Sequence, residues 1–340
     1  MRNTIINNKY FYAALVLLFL TGAAAFFSFR MLPQEELEET GTYRYHFTLI
    51  TGNGQEDAFW QDVLNGARQE AEKNDAYVEL LGRELHESLR VLDLLHFARY
   101  IRTDGVLVYP ENSLLIEHAI QKLEAQGTPV ITLQKDSEES GRTGFVGVNE
   151  YFLGQHFGKE LRQFYPPEDN RKVNAVILYP GESYSETNRN WFRQGLENII
   201  PENDYDLKSF YVYTVDGLTN LDKLLTTILS GDEAMMPEVF LCLNEKITEQ
   251  TGQILTDRGL QDRIHVIGSS LSPLIREEIT NGTVLSTITP DGEDMGRRAV
   301  RELLRYHAYG AANYAVSVDF KTIDRNSLRD IPEGAADEEN

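Results

Sequence analysis

Short apolar runs rich in β-branched residues alternate with amphipathic stretches along most of this 340-residue chain, and this alternation constrains the fold more than any other feature. The first four runs are YHFTLITG (45–52), AYVELLG (76–82), DGVLVYP (104–110) and TPVITLQ (128–134). Helical periodicity is found between them, at Trp60–Asn74, Ser88–Arg102 and Ser113–Gln126. Strands that alternate with helices through short turns containing Gly or Pro are typical of βαβ units and parallel sheets.

The alternation begins a second time after residue 143. The further predicted strands are 144–150, 173–180, 207–214, 237–244, 263–270, 284–290 and 314–323. The further predicted helices are 151–164, 188–200, 220–229, 246–258, 273–281 and 292–309. We therefore predict an α/β fold with two Rossmann-like lobes of similar size, each built on a parallel sheet.

An uncharged apolar segment of twenty residues, Tyr10–Phe29, precedes the alternating region. As a helix it would be about 30 Å long, which matches the hydrocarbon core of a bilayer. Arg2 and Lys9 precede it and several glutamates follow it, so the positive-inside rule places the rest of the chain outside the cytoplasm. We predict that residues 1–30 are an uncleaved signal anchor. The alternatives are a secretory signal peptide cleaved near Ala23–Ala25 and, least favoured, a buried core helix.

Charge and composition exclude several classes of function. The chain has 32 basic and 53 acidic residues, a formal net charge of −21, and a surface this negative repels nucleic-acid phosphates. Its single cysteine, Cys242, excludes an intramolecular disulfide, and the histidines are too far apart for a paired metal motif. The segment GESYS (181–185) lacks the final glycine of a nucleophile elbow. We predict no nucleic-acid partner, no enzymatic activity, no cofactor and no metal.

Polar and aromatic residues follow the predicted strands, where ligands bind in open parallel sheets. The loop after the first strand, TGNGQEDAFW (51–60), ends in the adjacent aromatics Phe59 and Trp60. Aromatic rings stack on the C–H faces of sugars, while carboxamides and carboxylates bind the hydroxyls. The loop therefore favours a sugar-binding cleft between the lobes. The alternative is that Phe59 or Trp60 is the first core residue of its helix.

Five segments carry a family resemblance by their order and spacing. They are TLITGNGQEDAFWQDVLNGARQEAEK (48–73), DGVLVYP (104–110), TPVITLQK (128–135), VFLCLNE (239–245) and IHVIGSS (264–270). Over residues 44–328 the chain resembles the type I periplasmic sugar-binding proteins, the ribose/galactose-binding group related to lactose-repressor cores. No helix-turn-helix segment precedes this region, so the repressor branch is not favoured.

The resemblance implies a hinge of three chain crossings, near Val148–Asn149, Pro290–Asp291 and Ala312–Asn313. Each lobe is then discontinuous in sequence. The implied segments are a linker (31–43), an N-terminal lobe (44–148 plus 291–312), a C-terminal lobe (149–290 plus 313–328) and an acidic tail (329–340).

The resemblance also implies ligand-binding positions. Asp57, Phe59 and Trp60 occupy the place of an Asn-Pro-Phe-Phe-like segment, and Asn244 retains a family asparagine. Gln134-Lys135 replaces an Asp-Arg pair, Ser270 replaces an aspartate, and Asp291 lies beside the position of a glutamine. A family arginine falls at Phe192, with Arg189 and Arg193 nearby, and Asn190 ends the loop that follows the preceding strand. The predicted ligand-binding residues are Asp57, Phe59, Trp60, Gln134, Lys135, Arg189, Asn190, Asn244, Ser270 and Asp291. Because these charged hydroxyl-binding groups are lost, the family's pentose specificity does not carry over to this chain, and a different sugar or a weakened pocket is an open alternative.

Two functions follow from the resemblance, because lobe closure on a ligand would create a surface for a membrane partner. We favour a membrane-tethered carbohydrate receptor that signals to a sensor histidine kinase, since the chain has a predicted anchor and no cysteine after it for lipid attachment. The alternative is the solute-binding component of an ABC-type sugar transporter, which a cleaved N-terminal segment would favour. An extracytoplasmic enzyme and a binding fold without a working pocket are less favoured.

Overall fold

The computed structural model of the protein describes residues 43–51, 58–82, 89–111, 113–168, 171–181, 184–201, 203–215, 218–230 and 236–330. The predicted anchor, most of the linker and most of the acidic tail lie outside these ranges. Within them, no helix has both the length and the apolar character that crossing a bilayer requires.

Strands and helices alternate as the sequence predicts. The strands are β1 (Tyr45–Ile50), β2 (Ala76–Leu80), β3 (Gly105–Val108), β4 (Val130–Gln134), β5 (Gly144–Gly147), β6 (Val173–Pro180), β7 (Tyr205–Val212), β8 (Thr214–Val215), β9 (Leu218–Thr219), β10 (Val239–Cys242), β11 (His265–Ser269), β12 (Val284–Pro290), β13 (Ala315–Ser317) and β14 (Phe320–Asp324). The α-helices are α1 (Ala58–Glu72), α2 (Val91–Ala98), α3 (Leu114–Ala125), α4 (Glu150–Phe164), α5 (Glu186–Glu197), α6 (Leu221–Leu229), α7 (Glu245–Asp257), α8 (Pro273–Asn281) and α9 (Gly292–Tyr309). Short 3₁₀ turns occur at Glu138–Ser140 and Ser327–Asp330.

Two six-stranded sheets form the centres of two lobes. The first has the order β13-β5-β4-β3-β1-β2, and all of its strand pairs are parallel. The second has the order β14-β12-β11-β10-β6-β7 and is parallel except for β14, which runs antiparallel to β12. The predicted α/β class with two lobes is confirmed, and the second sheet differs from the prediction in its one antiparallel edge strand.

Both faces of each sheet are covered, which explains why the strands read as continuous apolar runs rather than as alternating ones. In the first sheet, Phe47 and Leu107 belong to one buried cluster, while Ile50 and Val106 belong to another. The second sheet is likewise buried between two apolar clusters. Polar side chains can therefore reach a ligand mainly from the strand ends and the loops beyond them.

The structure divides the predicted last strand, 314–323, between the two sheets. β13 pairs with β5 in the first sheet, whereas β14 pairs with β12 in the second. The third crossing therefore lies between Ser317 and Phe320, and its predicted position at Ala312–Asn313 is wrong. Val318 is buried in the core of the first lobe, whereas Phe320 packs against the core of the second lobe. The single strand predicted from the sequence is therefore two strands that pack in different lobes. The remaining lobe boundaries stay predictions.

Helix α9 follows a strand of the second sheet but packs against α1 in the first lobe. The two helices approach so closely that a Cβ atom on Gly66 would collide with the carbonyl oxygen of Glu293. A Cβ atom on Gly296 would likewise collide with the carbonyl oxygen of Val63. This close packing places the start of α9 directly beside the start of α1.

Candidate functional site

A cavity of about 580 Å³ lies between the two lobes and is called the cleft below. Tyr109 and Gln134 reach it from the ends of β3 and β4, and Ser270 reaches it from the end of β11. The described residues that line the cleft are Ala58, Phe59, Trp60, Asp62, Tyr109, Gln134, Glu245, Ser270, Leu271, Thr289, Pro290, Gly292, Lys321 and Ile323. The cleft is therefore at the carboxyl ends of the parallel strands, where ligands bind in open α/β sheets.

Four of the ten predicted site residues line the cleft, namely Phe59, Trp60, Gln134 and Ser270. Asp57 lies outside the described residues. The other five are described but do not line the cleft. They are Lys135, Arg189, Asn190, Asn244 and Asp291. Direct ligand contact by any of the ten stays a prediction.

The aromatic wall of the cleft has a buried layer and an accessible layer. Trp60 is only 6% exposed and belongs to the core of the first lobe. Its ring centroid lies 5.2 Å from that of Phe59 and 5.2 Å from that of Tyr109, and both of these residues are half-buried. Stacking on a sugar needs an exposed ring face, so Phe59 and Tyr109 are better placed for it than Trp60. Trp60 also lines the cleft, but it is mostly buried and its ring packs against both of the others.

Gln134 and Ser270 occupy corresponding positions in the two lobes, at the ends of the third strand in each sheet order. Both have left-handed backbone conformations, with φ angles of 58° and 68°. For a residue with a Cβ atom this conformation costs roughly 1–2 kcal/mol. Backbone strain of this kind concentrates at binding and catalytic sites. Its presence at the same place in both lobes favours a role for these turns in holding polar side chains at the cleft.

Asn244 and Asp291 act as helix caps. The Asn244 side-chain oxygen accepts a hydrogen bond from the Ile247 amide at 2.8 Å and so caps α7. The Asp291 carboxylate accepts one from the Asp294 amide at 3.1 Å and caps α9. The first residues of these two helices, Glu245 and Gly292, line the cleft in their place.

The remaining predicted residues serve the second lobe or its surface. The Arg189 guanidinium lies 4.9 Å from the ring centroid of Tyr211 and donates to the Tyr184 carbonyl oxygen at 3.0 Å. Asn190 borders a separate surface groove beside Trp191. Phe192, where the family resemblance predicts an arginine, is fully buried in the second core. The arginine that the resemblance predicts in the second lobe is therefore absent from the described lining of the cleft.

Three charged residues that the sequence analysis did not predict as ligand-binding line the cleft, namely Asp62, Glu245 and Lys321. Asp62 lies on α1, and a Cβ atom on Gly292 would be 2.9 Å from its Cβ atom. Lys321 lies on β14, and its Nζ atom is 3.2 Å from Asp291 Oδ1. Burial raises the pKa of the Asp62 carboxyl, the Lys321 ammonium opposes this effect, and Glu293 and Asp291 reinforce it. The three-residue spacing from Phe59 was the available signal for Asp62, because it puts both residues on one helical face.

A second titratable group lies where the chain first enters the second lobe. Glu150 is the first residue of α4, and its carboxylate accepts a hydrogen bond from the Tyr184 hydroxyl. Burial raises the pKa of Glu150 to about 7, and the hydrogen bond from Tyr184 partly opposes this shift.

Among the described residues, no three His, Cys, Asp or Glu side chains converge so as to hold a metal ion.

Comparison with known proteins identifies the family. The sequence profile of a family described as a periplasmic binding protein domain matches residues 47–311. No curated protein matches the chain.

Solved structures with a similar fold include a mutant XylFII-LytSN complex, with a TM-score of 0.68 and 22% identity over 84% of this chain and 99% of the other. The sugar-binding protein of a Bacillus halodurans sugar ABC transporter has a TM-score of 0.68 and 13% identity over 84% and 99% of the two chains. GanP, a glucose-galactose binding protein from Geobacillus stearothermophilus, has a TM-score of 0.60 and 19% identity over 85% and 99%. The profile match covers most of the sequence, and the chain therefore belongs to the periplasmic binding protein domain family.

Proposed function

We propose that the protein is an extracytoplasmic carbohydrate-binding protein that closes its two lobes on a monosaccharide-like ligand. The observation that carries the proposal is the cleft, which joins the aromatic side chains of Phe59 and Tyr109 to the polar side chains of Gln134 and Ser270. Its volume of about 580 Å³ suits a small ligand. Aromatic faces with convergent hydroxyl-binding groups are the chemistry that a sugar ring requires.

The placement of these groups on two lobes supports the proposal of closure. Phe59, Tyr109 and Gln134 belong to the first lobe, whereas Ser270 and Leu271 belong to the second. A ligand that contacts both groups binds the closed arrangement more tightly than the open one, and only this difference in affinity shifts the equilibrium. The closed state would then present a surface that a membrane protein can recognise.

We favour a membrane-tethered receptor that reports its ligand state to a sensor histidine kinase. The predicted signal anchor supports this role, and one similar structure is named as a complex of two proteins, XylFII-LytSN. The alternative is the binding component of an ABC-type sugar transporter. A similar structure that is named as the sugar-binding protein of such a transporter supports that alternative.

The first test is thermal unfolding of the full-length protein in detergent against pentoses, hexoses and disaccharides. A sugar present at 1,000 times its Kd adds about 4 kcal/mol of stability and raises Tm by several degrees. One clear shift would support a sugar-binding function and name the ligand class. An unchanged Tm with every sugar would argue against it.

The second test separates receptor from transporter. We expect the protein in isolated membranes to keep its first thirty residues. N-terminal sequencing of the mature chain tests this directly, because it identifies the first residue that is present. A mature chain that begins after Ala25 would support the transport alternative.

A further inference from the structure

We propose that Asp62 and Lys321 are the charged groups that bind the hydroxyls of the ligand, and that they do so from the hinge side of the cleft. The hinge side is the part of the cleft next to Pro290, Asp291 and Gly292, where the chain passes from β12 to α9. This inference rests on the proposed sugar-binding function and extends it to particular residues.

The strand ends supply little charge to the cleft. Gln134 and Ser270 are uncharged, and the neighbouring Lys135 does not line the cavity. Among the described lining residues, the charged side chains are Asp62, Glu245 and Lys321. Lys321 is thus the one cation of that described lining, and a lysine ammonium has three N–H donors for hydroxyl oxygens.

The fold holds Lys321 in place without using all of its donors. Lys321 pairs with Thr289 across the antiparallel ladder, and Ile323 lines the cleft from the same face of β14. Its ammonium is 3.2 Å from the carboxylate of Asp291, whose side chain is only 19% exposed and also caps α9. One ion pair to a largely buried cap fixes the position of the ammonium, and its side chain remains 47% exposed.

Asp62 faces the same region from the first lobe. It lies three residues after Phe59 on α1, beside the first turn of α9. Its carboxylate accepts hydrogen bonds only, so it complements the donors of Lys321. Burial raises the pKa of the Asp62 carboxyl, and the positive charge of Lys321 at the same cleft opposes this effect.

A neutral sugar fits this arrangement. Each hydroxyl of a sugar both donates and accepts, so one diol can donate to Asp62 and accept from Lys321 while its apolar face contacts Phe59. Asp62 comes from the first lobe and Lys321 from the second, so a bridging diol binds the closed arrangement better than the open one. A sugar acid would be attracted by Lys321 but repelled by Asp62, and an amino sugar would be attracted by Asp62 but repelled by Lys321, whereas a neutral sugar meets neither repulsion.

The test compares Asp62→Asn and Lys321→Met with the full-length wild type. D-glucose, D-galactose, D-xylose, D-ribose and L-arabinose are the probes, and affinity is measured by calorimetry. We expect each substitution to weaken binding about 10- to 100-fold, because Lys321→Met removes the charged donors and Asp62→Asn removes the negative charge and replaces one acceptor oxygen with a donor. The matched control is Lys208→Met, which removes an exposed ion pair with Asp206 on β7, at the opposite edge of the same sheet. The control should bind like wild type.

Selectivity separates a ligand contact from a structural role. For Asp62→Asn, the ratio of D-glucuronate to D-glucose affinity should rise, and for Lys321→Met the ratio of D-glucosamine to D-glucose affinity should rise. A fold defect would lower all affinities together. If wild type binds one of the five sugars and both variants match its affinity and selectivity, this inference is wrong while the proposed function stands. If wild type binds none of them, the sugar-binding function fails and the roles of Asp62 and Lys321 fail with it.

Discussion

Glu150 carries a buried carboxyl group, and replacing it with glutamine should change how stability depends on pH. In the folded protein its pKa is raised from an ordinary 4.5 to about 7, chiefly by burial. The folded state therefore holds this proton more tightly than the unfolded state does. The stability that the protonated group contributes is complete below about pH 4.5 and is lost as pH rises through about 7.

The size of the effect follows from the two pKa values. Each pKa unit corresponds to about 1.4 kcal/mol, so the difference between 4.5 and about 7 corresponds to about 3 kcal/mol. Glutamine has nearly the same shape as a protonated glutamate and can still accept the hydrogen bond from Tyr184. Glu150→Gln should therefore match wild type at pH 4.5 and be more stable by up to about 3 kcal/mol at pH 8.

Urea unfolding of both proteins between pH 4.5 and pH 8 measures this difference. Other groups titrate in the same range, so the quantity of interest is the difference between variant and wild type at each pH. Glu197→Gln is the control, because Glu197 is an exposed partner of Arg193 on α5. Its difference from wild type should stay within about 1 kcal/mol at every pH. A constant difference for Glu150→Gln across the range would refute the reasoning about burial.

Four further substitutions test the site and the packing around it. Trp60→Ala should destabilise the fold by about 3–5 kcal/mol because Trp60 is a core residue, whereas Phe59→Ala should cost less stability and weaken sugar binding by about 1–2 kcal/mol. Gly296→Ala should lower stability by at least about 1–3 kcal/mol, since its Cβ atom would collide with the carbonyl of Val63, and urea unfolding measures the loss. Asn244→Ala should cost about 1 kcal/mol by removing the cap of α7 while leaving sugar affinity unchanged in calorimetry.

Each of these predictions can be contradicted by a particular result. If Trp60→Ala weakens sugar binding without loss of stability, Trp60 stacks on the ligand and is not primarily a core residue. A Gly296→Ala protein as stable as wild type would show that α1 and α9 can move apart freely. Loss of affinity without loss of stability in Asn244→Ala would favour the ligand contact that the family resemblance implies for Asn244.

Much of the fold could be predicted from the sequence, because strands buried on both faces read as short apolar runs and helices as amphipathic ones. The strand prediction fails where one continuous run of apolar and β-branched residues packs against two different cores. The run at 314–323 is compatible with a strand throughout, and only the packing of Val318 and Phe320 on different cores divides it. The helix predicted at Ser88–Arg102 spans Val91–Ala98 in the structure. The predicted bounds are too wide because apolar periodicity does not mark where a helix begins or ends.

The site was predictable only where it follows strand ends. Gln134 and Ser270, which the family resemblance implies, end or follow strands and do line the cleft. The resemblance also implies Asn244, but an asparagine before a helix satisfies the free amides of the first turn equally well. Lys321 was missed because it lies on a strand that runs opposite to its neighbour, so it reaches the cleft from within the strand and not from a loop.

The passage of residues 315–324 through both sheets has a consequence for how the chain reaches its folded state. β13 completes one edge of the first sheet and β14 completes one edge of the second, and both come from the last part of the described chain. The first sheet cannot acquire all of its strands until the chain has been synthesised through β13, and the second cannot do so until it has been synthesised through β14. The pairing of β13 with β5, which lies far earlier in the chain, also forms slowly. A chain that must cross a membrane before folding would benefit from this order of events, because it would leave the ribosome without a finished lobe.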